Sequence, residues 1–290
     1  MIYIVKRRKI WFTISAILVA TSIFALVFWG LNLGIDFTGG SLLEVKFNEN
    51  RPSVDEIQFL VAEQDLGEIL VQPMGEQNIV LRLKTITEEE HQELFSAMAE
   101  KYSDISEERF DSIGPVIGAE LQKKSLTAII LVIIAIALYI AFAFRKVSYP
   151  IQSWKYGLVT LFALFHDVII PLGVFAVLGK FLNIEIGSAF VAAMLTVLGY
   201  SVNDTIVVFD RVRENLIRGG GEFEGLVEKS VNQTLGRSIN TTLTTLVVLF
   251  AVFFLGGETV KIFALALIIG VGAGAYSSIF IASPLLVSWY

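Results

Sequence analysis

The sequence has no cysteine, two histidines, six prolines and comparatively little charge. Without a thiol there is no disulfide or thiol chemistry, and two histidines are too few for a Cys/His metal site, so neither metal nor cofactor is expected. No Gly-rich phosphate loop of the Walker type occurs, which argues against ATP hydrolysis by this chain. A basic surplus is missing as well. The 28 acidic against 22 basic residues leave a net charge of −6 and no footprint for nucleic acid. What is present instead is apolar sequence: 54% of the 290 residues are hydrophobic and 17% charged. With a mean hydropathy of +0.69 this is the composition of a membrane protein.

Charge is unevenly distributed. Positions 33–122 hold 19 of the 28 Asp and Glu residues but six of the 22 Lys and Arg, so one acidic, water-soluble domain is inserted into an apolar chain. Runs of about 20 apolar residues, the length that crosses a hydrocarbon core, occur six times. The expected organisation is a cytoplasmic N-terminus at 1–9, spans at 10–31, 124–144, 155–178, 187–209, 237–256 and 260–288, an extracytoplasmic domain at 32–123 and a cytoplasmic loop at 210–236. The first run follows Lys6, Arg7, Arg8 and Lys9 but is too long for a signal h-region, and it reads as a retained helix. Short loops rich in Lys and Arg stay cytoplasmic. Arg145, Lys146 and Lys155 mark one such loop and Arg211, Arg213 and Arg218 another, against single lysines, Lys180 and Lys261, in the alternate loops. Both termini are therefore expected inside and the acidic domain outside. Trp11, Trp29, Trp154 and Trp289 fall at span ends, where amphipathic rings favour the headgroup region.

Within the outside domain, Leu43, Val45 and Phe47 alternate as in a strand. Ser53 with Glu56 and Thr87 with Glu90 form two capping boxes that open helices. Further strand-like runs at 69–73, 77–84 and 107–113 complete a βαββαβ order, which fits a ferredoxin-like split sheet. His91 lies between Glu90 and Gln92 on a charged helix and is expected to be a solvated surface residue.

Ionisable groups inside a bilayer cost several kcal/mol unless they face a polar interior, so each is a functional candidate. His166 and Asp167 lie near the middle of the third span, and Pro171 frees the Asp167 carbonyl. The pair either ties helices together or lies on a proton pathway. On the fourth span Ser188, Ala192, Thr196, Tyr200 and Asp204 recur every four residues, a small and polar stripe expected to pack inside the bundle. Asn203 and Thr205 flank Asp204, and Asp210 reads as a solvated helix-end residue beside Arg211 and Arg213. The fifth span opens with Arg237 and Asn240 at nearly the depth of Asp204, so an Asp204–Arg237 pair is expected, either a proton relay or a static ion pair. Thr241, Thr242, Thr244 and Thr245 add hydroxyls. On the sixth span Gly270, Gly274, Ser278 and Ala282 form a ridge of small residues that reads as packing only.

GIDFTGG at 34–40, SIGPVIGAEL at 112–121, HDVII at 166–170, GYSVNDTIVVFDRVREN at 199–215 and RSINTTLTT at 237–245 together resemble the SecD/SecF family of protein-export membrane subunits, within the resistance-nodulation-division superfamily. The resemblance covers nearly the whole chain. It implies six transmembrane α-helices with one extracytoplasmic ferredoxin-like α+β domain between the first two, no enzyme activity, and a place in the bacterial cytoplasmic membrane. The motif residues it carries over are Asp36, Gly39, Gly40 and Asp210, and its membrane Asp and the following Arg match Asp204 and Arg237. The partners it implies are SecD, the SecYEG translocon, the preprotein and the lipid bilayer, with proton entry coupled to movement of the outside domains. Proton coupling falls to Asp204, Arg237, Asn203, His166 and Asp167. A proton-coupled small-molecule or lipid exporter of the same superfamily is the alternative; a passive scaffold and an intramembrane protease are weaker ones.

Overall fold

The structure is a computed structural model that describes residues 2–49, 51–64, 66–145, 151–219 and 221–290, with the side chains of Glu258 and Thr259 outside the described set. Lys146 and Gly220 lie outside the described residues. The chain divides into two compact units, one of 33–125 and one of 1–32 with 126–290.

The inserted unit begins with a single turn, α2 (Ile35–Thr38), after the first long helix α1 (Arg8–Trp29), and continues as β1 (Gly40–Phe47), α3 (Val54–Ala62), β2 (Leu70–Met74), β3 (Asn78–Leu83), α4 (Glu88–Lys101) and β4 (Ile105–Ile113). All pairings are antiparallel and the sheet order is β2-β3-β1-β4, so each βαβ crossover leaves room for a third strand between its two strands. That is the ferredoxin-like split sheet. Both capping boxes form: Ser53 and Thr87 accept from the amides of Glu56 and Glu90, whose carboxylates receive the Ser53 and Thr87 amides in return. The period-two residues Leu43, Val45 and Phe47 of β1 and Ile79, Leu81 and Leu83 of β3 face Ile57 and Val61 of α3 and Leu94 and Met98 of α4. Each such buried side chain is worth about 1.5–3 kcal/mol, which is what holds a sheet this small together.

His91 is a correction. It is 2% exposed, not solvated: its ring stacks on Phe110 at 3.7 Å, with Nδ1 3.3 Å from Glu88 Oε1 and Nε2 3.1 Å from Glu107 Oε2. His91, Leu94 and Met98 form the buried face of α4. The polar neighbours Glu90 and Gln92 flank that face, and the apolar spacing of three and four decides where the imidazole goes.

The Gly39-Gly40 pair occupies backbone that only glycine adopts easily, at φ +73° and +121°. Space explains the rest. A Cβ on Gly39 would lie 2.7 Å from Pro115 Cα, one on Gly40 2.8 Å from the Leu83 carbonyl oxygen, and one on Gly118 2.8 Å from the Gly39 amide nitrogen. The segment entering the sheet and the one leaving it are therefore in backbone contact.

The other unit is a helical bundle. Helix α5 (Pro115–Ala143) is followed by α6 (Ser153–Leu182), α7 (Ser188–Arg218), α8 (Phe223–Leu255) and α9 (Glu258–Ser277), which runs on through a π-helical turn, Ser278–Ala282, into α10 (Ser283–Ser288). Among the described residues six helices are long and apolar enough to cross a membrane: α1, α5, α6, α7, α8 and the run from Val260 to Ser288. Helices α6, α7 and α9 carry the buried interior, whereas α5 and α8 expose most of their apolar side chains. The stretch 210–236, expected as a loop, is helical apart from the short link between Arg218 and Phe223. Asp210 is accordingly exposed but not at a helix end, and it pairs with Arg213 one turn on. The two extensions are joined by Asn215, whose amide donates to Ser230 Oγ at 2.7 Å and to Gln233 Oε1 at 3.0 Å. Buried Glu228 accepts from the backbone amides of Ile4, Val5 and Lys6 and so ties the N-terminal segment to the start of α8.

The small and polar stripe of α7 does not pack inside this chain. Ser188, Ala192 and Thr196 are exposed, Tyr200 is half-buried, and only Asp204 is buried. The face of α7 that turns inward is the apolar one, through Phe190, Met194, Val197 and Leu198. The ridge on α9 does turn inward: a Cβ on Gly274 would stand 2.8 Å from Ser201 Cβ, and one on Gly270 would overlap Val197.

Candidate functional site

Two buried carboxylates lie in the bundle, Asp167 on α6 at 0% exposure and Asp204 on α7 at 7%. Their surroundings differ. Asp167 Oδ2 accepts from Ser201 Oγ of α7 and from Ser277 Oγ of α9, the latter at 2.9 Å, and Oδ1 faces His166 Nδ1 at 3.2 Å. One carboxylate thus joins three helices. The close approach that Gly274 permits is what brings Ser201 and Ser277 together over it. His166 is itself 4% exposed and stacks on Tyr276, whose hydroxyl donates to the Trp11 carbonyl at 3.1 Å and accepts from Ser15 at 3.2 Å. Its Nε2 is buried with no hydrogen-bond partner among the described residues.

Next to this cluster, Ser278 Oγ and Thr205 Oγ1 lie 2.9 Å apart, and Ser278 Oγ donates to the Gly274 carbonyl at 2.9 Å. Ser278 opens the π-helical turn, and Ser283 Oγ donates to its carbonyl at 3.1 Å across five residues. Such turns rephase a helix and gather at functional sites. Ser278 was expected to pack only; it is part of the polar cluster.

Among the described residues Asp204 has one hydrogen-bond partner. Ser238 Oγ of α8 donates to Oδ1 at 2.7 Å, and Oδ2 is buried with no hydrogen-bond partner among the described residues. The expected ion pair with Arg237 is not formed among the described residues: Ser238 holds the hydrogen bond, and Arg237 acts on the carboxyl through space. The physical reason is helical phase. Val231, Thr234, Ser238 and Thr242 make up the buried side of α8, and Arg237, one position and 100° away, is exposed together with Asn240. Asn203 is exposed on α7 for the same reason. The sequence therefore locates Asp204 and misses Ser238, although the 231, 234, 238, 242 spacing was there to be read. One turn away Tyr200 OH donates to Thr242 Oγ1 at 3.5 Å, a second rung between α7 and α8. A crevice of about 300 Å³ runs between α8 and α9, lined by Ser238, Thr242, Leu246, Tyr276 and Phe280 among others, and so adjoins both the Ser238 hydroxyl and the ring stacked on His166. Among the described residues no three His, Asp or Glu side chains converge as metal ligands.

The motif residues Asp36, Gly39 and Gly40 lie in the other unit, at its entry turn, and the glycines act there through backbone approach.

Chemically, a carboxylate with one acceptor site open and no bound cation can take up and release a proton. One whose lone pairs are claimed by three helices holds them together.

Residues 93–290 match the family described as protein export membrane protein SecD/SecF, C-terminal, and residues 24–50 match the SecD/SecF GG motif. Among curated relatives, the protein translocase subunit SecF of Thermobaculum terrenum is 42% identical over 100% of this chain and 94% of its own length. That of Anaerolinea thermophila is 36% identical over 100% and 94%. The crystal structure of SecDF, a translocon-associated membrane protein from Thermus thermophilus, superposes with a TM-score of 0.86 at 31% identity, covering 99% of this chain. A SecDF structure in a super-membrane-facing form gives 0.69 at 32% identity. This chain spans 38% of the length of each of those two structures. The chain belongs to the SecD/SecF family of protein export membrane proteins.

Proposed function

We propose that the chain is the SecF subunit of a protein translocase, which pairs with SecD in the bacterial cytoplasmic membrane and uses the proton motive force to assist preproteins through SecYEG. It is a transport component and not an enzyme. Both termini face the cytoplasm and the ferredoxin-like unit faces outward, in keeping with the Lys and Arg of the short loops.

The observation that carries the reading is Asp204: a buried carboxylate in a membrane helix with one hydroxyl donor on Oδ1 and an open Oδ2. A proton moving down a gradient of 100 mV releases about 2.3 kcal/mol, so a few protons bias a domain between two positions without any nucleotide. The exposed stripe on α7, Ser188, Ala192, Thr196 and Asn203, with exposed Arg237, Asn240, Thr241 and Thr244 on α8, supports a second membrane subunit. Small residues let another backbone approach closely, and polar groups facing lipid find partners across such an interface. That subunit is SecD. His166 and Asp167 serve the same site as a helix-joining element, and Arg237 serves it from the subunit surface.

Asp204→Asn keeps the size of the side chain and one acceptor for Ser238. It is expected to leave complex yield unchanged and to reduce gradient-dependent stimulation of export by about tenfold or more, as removal of an essential proton carrier does. Gradient-dependent export at the wild-type level, normalised to assembled complex, would overturn the proposal.

A further inference from the structure

Helix α8 carries seven Ser and Thr hydroxyls, and five of them serve the helix itself. Ser230, Thr234, Thr241, Thr244 and Thr245 each donate back to a carbonyl three or four residues earlier. This is the usual fate of Ser and Thr inside a helix. Ser238 departs from it. Its single proton goes across to α7, to Asp204 Oδ1 at 2.7 Å, and the side chain is fully buried. The neighbouring rungs keep the two helices in register around it, Tyr200 to Thr242 on one side and Asn215 to Ser230 on the other. A helix offering two polar side chains one residue apart, 100° around the axis, presents one of them to a given neighbour. Here that one is Ser238, and Arg237 faces outward.

We propose that Ser238 is the positioning residue of Asp204: its hydroxyl holds Oδ1 against α8, keeps the carboxyl from turning toward Arg237, and leaves Oδ2 as the atom that takes the proton. This rests on the proton-coupling role of Asp204 given above. Ser238 does not carry the proton; it fixes which oxygen does and in which direction it points. Among the described residues the charged group that acts on the Asp204 carboxyl through space is Arg237 of α8, while the π-helical turn after α9 contributes the hydroxyl of Ser278, already engaged with Thr205. The Asp167 carboxylate of α6 is engaged with Ser201, Ser277 and His166. Removing the Ser238 hydroxyl therefore leaves both Asp204 oxygens without a hydrogen-bond donor among the described residues, with Arg237 acting on them through space.

The test uses membrane vesicles carrying this chain with SecD and the translocon, and compares Asp204→Asn, Ser238→Ala and Ser238→Thr. Each is measured for export with and without an imposed proton gradient over a range of pH, normalised to assembled complex. Ser238→Ala is expected to lower gradient-dependent export by about tenfold, the change that loss of one hydrogen bond to a charged group gives, and to displace the pH profile by about one unit. Ser238→Thr retains the hydroxyl and restores the profile. If Asp204→Asn keeps its gradient dependence, the proton-coupling reading itself fails and Ser238 with it. If Asp204→Asn loses it while Ser238→Ala keeps a wild-type rate and profile, only the role of Ser238 is overturned. A Ser238→Ala rate that follows the amount of assembled complex, with an undisplaced profile and no rescue by Thr, makes Ser238 a packing residue and overturns the proposal as well.

Discussion

Asp167 and Asp204 sit on adjacent helices of one bundle, are both buried, and are placed in opposite circumstances. Among the described residues, hydroxyls from two other helices donate to Asp167, with the His166 ring against its second oxygen, and one hydroxyl from one helix donates to Asp204. Burial alone does not separate a carboxylate that fastens a structure from one that is free to change state. The count of satisfied lone pairs does, because protonating an engaged oxygen displaces the donors it accepts from, whereas an open oxygen takes a proton with no hydrogen bond displaced.

The comparison breaks most visibly if both residues are changed in the same way. Asp167→Ala strands the Ser201 hydroxyl and the His166 Nδ1, leaves Ser277 with the Gly274 carbonyl alone, and is expected to destabilise the chain in detergent by about 3–5 kcal/mol. Asp204→Ala strands Ser238 alone and is expected to cost about 1–3 kcal/mol. Equal losses in thermal unfolding would erase the distinction. A smaller effect sharpens it from the packing side. Gly274 lies against Ser201, so Gly274→Ala is expected to push Ser201 from Asp167 and cost about 1–3 kcal/mol. A Cβ on Gly272 meets nothing within 4 Å, and Gly272→Ala is expected to be neutral or to stabilise by up to about 1 kcal/mol. The smallest effect comes from a carboxylate in water. Glu88 in the outside unit is held below the usual glutamate range by the Gln92 amide, 2.8 Å away, and by His91. A depressed folded value means that this contribution is present above the ordinary glutamate range and is lost as the pH falls through the folded value. Glu88→Gln should therefore flatten the acid limb of the stability curve below about pH 4 and leave neutral pH unchanged. Melting curves of the full chain at several pH values check this.

The same contrast marks where sequence is informative. Capping boxes are local, and Ser53 with Glu56 and Thr87 with Glu90 form as written. Strand alternation and long apolar runs are local too, which is why the split sheet and six long apolar helices could be expected. Asp204 stands out because charge in an apolar run is costly wherever it faces. Its partner does not, because choosing between Arg237 and Ser238 requires knowing how α8 is rotated, and in sequence alone opposite charge is the stronger signal. His91 went astray through its neighbours in sequence, when its neighbours in space, Leu94 and Met98, were three and seven positions on. The stripe of α7 was legible as a stripe but not as an outer surface, since small residues suit an interface within a chain and one between chains equally well. The π-helical turn at Ser278–Ala282 left no trace in a four-residue repeat that runs through it unbroken.

The glycine seam at 39, 40 and 118 has a mechanical meaning. The turn Phe37–Gly39 lies in backbone contact with Pro115 and Gly118, and the strands that continue from these two points, β1 and β4, are paired neighbours in the sheet. The two ends of the unit are thus locked to each other at the base of the sheet, and because β1 and β4 are also hydrogen-bonded neighbours, neither strand can slide along its length without carrying the other.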